Sequence, residues 1–276
     1  MLRLSRSRLL ISLAPDTVSW LKLGGQKPEV VARSTVSADS GYGGESWQGA
    51  LATLRTIAQD WRKDSATVTI VLSNHFARYV LVPPTDGING AKEENALALF
   101  YFSKVHGERS HGWDLRLGDA QGKEPRLACA IDTPLIDALR ECFPVKGALK
   151  LVSVQPLLMS AFNCSRSQLP AEGAWMLLIE AQRACLGLVA GRRWVTVQNL
   201  KGDFSNEQAW VQLLDQARLR IDLPRSPDAV FVHAPSITGA LQVSRGAWQL
   251  RRLQVAFPSG LMPLQDAAYT TALTAA

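Results

Sequence analysis

Short apolar runs separated by polar breaks predict two sets of three β-strands in this chain. Residues 9–14, 18–23 and 29–36 form the first set, and residues 175–179, 185–190 and 194–197 form the second. Turn-forming residues such as Pro15-Asp16 and Gly24-Gly25 separate the runs. Runs of this length with such boundaries are typical of strands. The first set is therefore predicted to pair as a meander.

The same elements follow each set. Residues 46–62 show a helical pattern and residues 67–72 a strand, and residues 206–221 and 229–233 repeat that order. Apolar residues line one face of each helix, and Ser46 and Ser205 are predicted to cap them. Gln208, three residues after Ser205, completes a capping-box pattern. The chain thus holds two copies of strand–strand–strand–helix–strand, which match in pattern rather than in sequence identity.

A further α/β segment separates the two copies. It is predicted to contain strands at residues 78–82, 113–117, 126–131 and 150–154 and helices at residues 92–105, 134–142 and 156–163. The polar stretch 165–173 is the predicted boundary between two lobes. The predicted domains are a first lobe at 1–165, with an inserted subdomain at about 83–149, and a second lobe at 166–276 with a further strand at 247–255. The small, polar tail 266–276 is predicted to be disordered or weakly docked.

Composition places the chain among ordinary globular proteins. Of its 276 residues, 47% are hydrophobic and 20% are charged. No run approaches the roughly 20 apolar residues that a membrane span needs, so cytoplasmic residence is the default expectation. The net charge of +6 comes without a basic run interleaved with aromatic residues, which argues against nucleic-acid binding. The four cysteines are widely spaced among apolar neighbours, which indicates buried free thiols rather than a metal site or a disulfide framework.

Scattered residues of the inserted segment resemble those of a known family. They are Pro83-Pro84 after a strand, Glu93 and Glu94 on a helix, Trp113-Asp114 at the head of a two-strand segment, and Val154-Gln155-Pro156. Together with the duplication, this layout resembles the actin-like ATPase fold and, within it, PilM-like pilus assembly proteins. It is also similar to the cytoplasmic part of GspL-type type II secretion proteins and to MSHA-type pilus biogenesis proteins. The resemblance covers most of the chain. It implies an α/β, duplicated actin-like (ribonuclease H-like) fold with two βββαβ lobes and an inserted α/β subdomain.

The resemblance also implies where a nucleotide would bind. In a functional site, the hairpin between the first two strands of each lobe brings backbone N–H groups close to phosphate, which requires glycine or small residues. A carboxylate in the hairpin holds Mg²⁺ directly or through water. The corresponding positions are Asp16 and Thr17 in the first lobe and Glu180 and Arg183 in the second.

All three nucleotide loops depart from the family pattern. Pro15 removes a donor from the first hairpin, and Ala181 stands where the second hairpin would need glycine. The loop on the adenosine side, usually a glycine pair, is Ala234-Pro235-Ser236. We therefore expect no cofactor, no metal ligand and no catalytic residue, with Asp16 and Glu180 serving as turn and surface carboxylates. The sequence contains no other recognisable catalytic motif.

These departures favour a non-catalytic scaffold. The resemblance implies a protein peripheral to the inner membrane that binds the cytoplasmic tail of a membrane-spanning pilus or secretion component. In PilM-like proteins that tail docks in a groove between the first lobe and the inserted subdomain. The partner-binding candidates are Phe76, Tyr79, Phe100 and Tyr101, with core packing as the alternative role for these rings. Homodimerisation stays open.

The alternative from another class is an ATP-binding or ATP-hydrolysing actin-like enzyme with altered nucleotide loops. ATP and Mg²⁺ would be its cofactors, and loss of MgATP binding in Asp16→Ala or Glu180→Ala would identify it. A nucleotide sensor without turnover is a third hypothesis. The missing glycines argue against both.

Overall fold

The structure of this chain is a computed structural model with a mixed α/β architecture. It describes residues 7–25, 28–39, 47–61, 65–85, 87–88, 90–119, 124–191, 193–221, 223, 226–237, 239, 241 and 246–276. The predicted helix cap Ser46 lies outside the described residues.

The helices and strands follow the predicted order along the chain. The strands are β1 (Ser7–Ala14), β2 (Thr17–Gly24), β3 (Glu29–Ser37), β4 (Ala66–Leu72), β5 (Ala77–Val82), β6 (Trp113–Leu117), β7 (Arg126–Asp132), β8 (Leu149–Pro156), β9 (Ala174–Glu180), β10 (Arg183–Ala190), β11 (Arg193–Lys201), β12 (Ala229–His233) and β13 (Gln249–Arg252). The helices are α1 (Gln48–Asp60), α2 (Ala91–His106), α3 (Thr133–Cys142), α4 (Leu157–Ser165), α5 (Glu207–Arg218) and α6 (Thr270–Leu273).

Two five-stranded sheets share one topology. The first has the order β3-β2-β1-β4-β8, and the second has the order β11-β10-β9-β12-β13. In each sheet the three meander strands pair antiparallel, and the last two strands join in parallel. The central strands β1 and β9 are almost entirely buried, as expected for strands that are covered on both faces. The duplication predicted from the hydrophobic pattern is therefore present.

A smaller third sheet has the order β5-β7-β6. Helix α2 covers one of its faces, with Ala98 and Phe102 fully buried against Ala128 of β7. The guanidinium of Arg126 donates to both carboxylate oxygens of Glu94, at 2.7 and 3.3 Å. These hydrogen bonds lower the pKa of Glu94 and tie the first turn of α2 to the start of β7.

The chain forms two compact units. One consists of Met1–Ala77, Asp132–Cys164 and Val255–Ala276, and the other consists of Arg78–Ile131 and Ser165–Gln254. The first unit includes α3, which packs beside α1. The sequence instead placed α3 in the inserted subdomain, which was predicted to extend to about residue 149. The first unit also includes residues 255–276, which the sequence placed at the end of the second lobe. The predicted further strand at 247–255 is limited to β13.

The prediction of a disordered or weakly docked tail is wrong. Ala272 and Leu273 of α6 are at most 1% exposed and pack in one apolar cluster with Leu10, Leu21 and Leu23 of the first sheet. Residues that look small and polar in sequence are thus held by contacts with a distant part of the chain.

The predicted cap of α5 is wrong by one residue. Asn206, in extended backbone conformation, accepts the N–H of Ala209 with its side-chain oxygen at 3.0 Å. The N–H of Ser205 instead donates to the carboxylate of Asp203 at 2.9 Å. Serine and asparagine are about equally good caps, so local sequence cannot decide between neighbours.

Candidate functional site

The first hairpin holds Asp16 and Thr17. Strands β1 and β2 pair as far as Ala14 and Thr17, so a two-residue turn of Pro15 and Asp16 connects them. Asp16 is exposed, and its carbonyl oxygen accepts the N–H of Ala38 at 2.8 Å. Pro15 is buried and has no N–H. The turn therefore presents a carboxylate to solvent, but one of its two backbone positions cannot donate to a phosphate.

The second hairpin brings Glu180 and Arg183 together as a pair across its two-residue turn. The second turn residue, Gln182, has a φ of 55°, a left-handed conformation that glycine adopts at little cost. The carbonyl of Gln182 accepts the N–H of Gly202 at 3.0 Å. Arg183 donates to the side-chain oxygen of Asn199 at 3.4 Å. The backbone of the turn and the side chain of Arg183 are thus both hydrogen-bonded to residues in β11 or directly after it.

Arg252 closes the loop that follows β12. Its guanidinium donates to the carbonyl oxygens of Ala234, Ile237 and Gly239, at 3.4, 2.9 and 2.8 Å. Burial, with a further contribution from Arg252, lowers the pKa of His233 to about 4. This arrangement could not be predicted from the sequence, because every residue has a backbone carbonyl and the fold decides which of them Arg252 contacts. A positively charged side chain therefore occupies the inside of the loop that the resemblance assigns to the adenosine side.

The four cysteines are free thiols; Cys129 and Cys185 are buried as predicted, whereas Cys142 and Cys164 are half-buried. Burial raises the pKa of Cys129 to about 12 and raises the pKa values of Cys142, Cys164 and Cys185 as well. Because the thiolate is the reactive form, these cysteines are poor nucleophiles.

The described part of the chain contains neither a metal-binding cluster nor a helix that could cross a membrane. No three His, Cys, Asp or Glu side chains there are grouped so that they could hold a metal ion. None of its helices is both long and apolar enough to cross a membrane. The expected lack of metal ligands stays a prediction.

The four aromatic candidates divide into two pairs. Phe76 is 1% exposed and Tyr79 is 8% exposed, so both rings are part of the protein core. Phe100 is 51% exposed, and Tyr101 beside it is half-buried. Only the second pair, on α2, is accessible to a partner in this conformation.

Phe100, Tyr101 and Lys104 form a contiguous patch, here called the α2 aromatic surface. The two rings meet edge to face, with centroids 5.6 Å apart. The ammonium of Lys104 lies 4.4 Å from the centroid of Phe100 and 5.4 Å from that of Tyr101. The spacing of three and four residues places them together on the helix, and cation–π attraction fixes the lysine over the rings.

A groove of about 370 Å³ lies between α2 and β6, and we call it the α2–β6 groove. Its lining consists of Asn95, Ala96, Leu99, Trp113, Asp114, Leu115 and Arg116. The ring of Trp113 lies 5.1 Å from that of His106 and 5.1 Å from the guanidinium carbon of Arg78. Burial and then Arg78 lower the pKa of His106, which favours the neutral imidazole. This groove could not be predicted from the sequence, because it depends on how α2 crosses the sheet.

No family model matches the sequence, and no curated relative matches it. Solved structures do match. The cytoplasmic domain of EpsL, an inner membrane component of the type II secretion system of Vibrio cholerae, matches with a TM-score of 0.53 and 15% identity, over 96% of this chain and 95% of that chain. A PilM–PilN type IV pilus biogenesis complex matches with a TM-score of 0.54 and 16% identity, over 82% of this chain and 80% of that chain.

A third match is a protein of unknown function from Bacteroides thetaiotaomicron with an actin-like ATPase fold. Its TM-score is 0.55 and its identity is 12%, over 84% of each chain. At these identities the three matches show the fold. The chain has the actin-like fold of the PilM and EpsL kind, which confirms the predicted fold class and the resemblance seen in the sequence.

Proposed function

We propose that this protein is a non-catalytic scaffold of a type IV pilus or type II secretion assembly platform at the inner membrane. It binds the cytoplasmic tail of a membrane-spanning component and works in the cytoplasm, peripheral to the membrane. Two solved structures with the same fold support this proposal. One is the cytoplasmic domain of an inner membrane component, and the other is a complex of PilM with PilN.

The bonding of the nucleotide-loop positions carries the non-catalytic part of the proposal. An actin-like enzyme needs backbone donors at its hairpins to bind phosphate. Here Pro15 lacks that donor, and Gln182 stands in the left-handed position of the second hairpin. Arg252 holds three carbonyls of the third loop. Because a site must supply its own chemistry whatever the fold, these loops argue against a catalytic role.

The α2 aromatic surface supports the proposed binding of a partner's cytoplasmic tail. An exposed phenylalanine beside a half-buried tyrosine gives rigid apolar area, of the kind that dominates binding energy at interfaces. Lys104 adds a positive charge at the edge of the rings. This combination suits a peptide segment with an apolar side chain next to an acidic one.

Affinity capture from detergent-solubilised native membranes, followed by mass spectrometry, tests the proposal. We expect the tagged protein to retain a small inner-membrane component with one membrane span and a short cytoplasmic tail. A synthetic peptide of that tail is then titrated against the wild type and the variants Phe100→Ala and Leu264→Ala. Leu264 is 66% exposed in the other unit, so it is a matched control for loss of an exposed apolar side chain.

Weaker peptide binding in Phe100→Ala alone would support the proposal. Capture of no membrane component, together with saturable binding of MgATP in a parallel calorimetric titration, would overturn it in favour of the enzyme or the sensor.

A further inference from the structure

Strand β6 is at the edge of the third sheet. Within the described residues it pairs with β7 on one side and with no strand on the other. It is five residues long and has the sequence Trp-Asp-Leu-Arg-Leu. The open side of an edge strand presents N–H and C=O groups that can pair with another chain.

One hydrogen bond shows which backbone groups point to the open side. The N–H of Gly118 donates to the carbonyl of Leu127 at 2.9 Å, so the backbone groups of Gly118 point toward β7. Because this direction alternates along an antiparallel strand, the groups of Trp113, Leu115 and Leu117 point away from β7. The N–H of Trp113 already donates to the carbonyl of Ser110, so the open side offers a further strand the N–H groups of Leu115 and Leu117 and the carbonyls of all three residues.

We propose that two copies of this chain associate by antiparallel pairing of β6 with β6 about a two-fold axis at Leu115. This register is the one in which the whole of both strands pairs. It places Leu115 opposite the same residue of the second copy, and Trp113 opposite Leu117. The N–H groups of Leu115 and Leu117 then each meet a carbonyl of the other strand, as in a hydrogen-bonded antiparallel pair. The inference does not depend on the proposed function.

The charges of β6 are complementary in this register. Asp114 of each copy lies opposite Arg116 of the other, and opposite charges across a strand pair are stabilising. Within one chain, Arg116 Nε lies 3.4 Å from the carboxylate of Asp114, and the arginine side chain is 79% exposed. The four charges would alternate in sign around the axis. Parallel pairing in register would instead place like charges side by side, so the sequence favours the antiparallel arrangement.

The other face of β6 supplies apolar contact. The side chains of Leu115 and Leu117 are only partly buried beneath α2, and the α2–β6 groove is open beside them. Leucine side chains of the second copy would enter this groove against Ala96 and Leu99. The interface is small, so the dimer is expected to be weak and to depend on protein concentration.

Two charge variants of the full chain test the pairing. In Asp114→Arg both positions carry arginine, and in Arg116→Asp both carry aspartate. Each variant makes like-charge contacts with its own copy, whereas an equimolar mixture restores an opposite charge at every contact. By sedimentation equilibrium over a concentration series, we expect the wild type to self-associate and each variant to do so at least about tenfold more weakly. The mixture should recover wild-type strength.

Two further measurements separate a lost contact from a damaged fold. Thermal unfolding of each variant should match that of the wild type. In the wild type itself, hydrogen exchange at the amides of Leu115 and Leu117 should slow as the protein concentration rises. A wild type that stays monomeric, a dimer that neither variant weakens, or a mixture no stronger than its components would overturn the proposal.

Discussion

The hydroxyl groups of Ser160 and Thr274 lie 2.6 Å apart in the interior of the first unit. Thr274 donates its own proton to the carbonyl of Thr271 at 2.7 Å, so its oxygen accepts the proton of Ser160. Both side chains are buried, and a buried hydroxyl without a partner would be costly. This bond fixes the end of the chain against α4.

Leu273→Ala should destabilise the protein by about 2–5 kcal/mol. The leucine is 1% exposed and packs against Leu10 and Leu21 of the first sheet, so its removal leaves a cavity. Chemical denaturation, monitored by tryptophan fluorescence and circular dichroism, measures the change in the free energy of unfolding.

Leu264→Ala is the matched control in the same C-terminal segment. Leu264 is 66% exposed, so this variant should stay within about 0.5 kcal/mol of the wild type. Equal stabilities for the two variants would contradict the docking of α6.

The fold could be predicted because the sequence patterns that indicate its strands and turns are local. Each strand of the two meanders has its own apolar run and its own turn residues, and Pro15-Asp16 and Gln182 lie where the turns were expected. The docking of the tail could not be predicted, since Ala272 and Leu273 form no long apolar run and their burial depends on Leu10, Leu21 and Leu23 at the other end of the chain. Packing between distant segments decides such cases.

The candidate site was predictable only in part, for the same reason. The sequence indicated Phe100 and Tyr101, within the predicted helix 92–105, as partner-binding candidates, and the structure leaves Phe100 accessible there. It could not indicate that Phe76 and Tyr79 are buried, because the strands and helices around them decide that. The contacts of Arg252 with backbone carbonyls were equally invisible in sequence.

Stability of the second unit should fall as the pH drops from about 6.5 to about 4. His233 is 3% exposed, and burial lowers its pKa from 6.5 to about 4. Between these values the unfolded chain binds a proton at His233 and the folded chain does not, so acid favours unfolding. The full effect of this group is about 3 kcal/mol. Urea denaturation at a series of pH values measures it.

The variants His233→Asn and His233→Gln isolate this contribution from that of the carboxylates. Both lack a titrating group, so the difference in unfolding free energy from the wild type should shrink as the pH falls through the window. A difference that is constant from pH 7 to pH 4 would show that His233 does not titrate on unfolding.

Phe100→Ala should weaken binding of the partner's tail peptide by about fivefold or more without lowering the unfolding temperature. The ring is 51% exposed, so the fold loses little, whereas a central aromatic contact at an interface is typically worth at least 1 kcal/mol. Phe102→Ala is the contrasting variant: that ring is fully buried, and its loss should cost about 3–5 kcal/mol of stability. Fluorescence anisotropy with a labelled peptide, beside thermal unfolding, separates the two effects.

Calorimetric titration of the wild type with MgATP should give no saturable heat. Phosphate binding needs backbone donors, and the first hairpin has Pro15 where one is required. Arg252→Ala should not create binding either, because it frees carbonyl oxygens, which accept hydrogen bonds and repel phosphate. A saturable heat that disappears in Asp16→Ala or Glu180→Ala, but persists in the control Asp137→Ala, would establish nucleotide binding. Asp137 is a half-exposed carboxylate paired with Arg140 on α3, so its loss tests for a general effect of removing an acidic group. Such a result would not change the assigned fold. It would replace the proposed scaffold function by that of an enzyme or a sensor, since the chemistry of these loops decides between these functions.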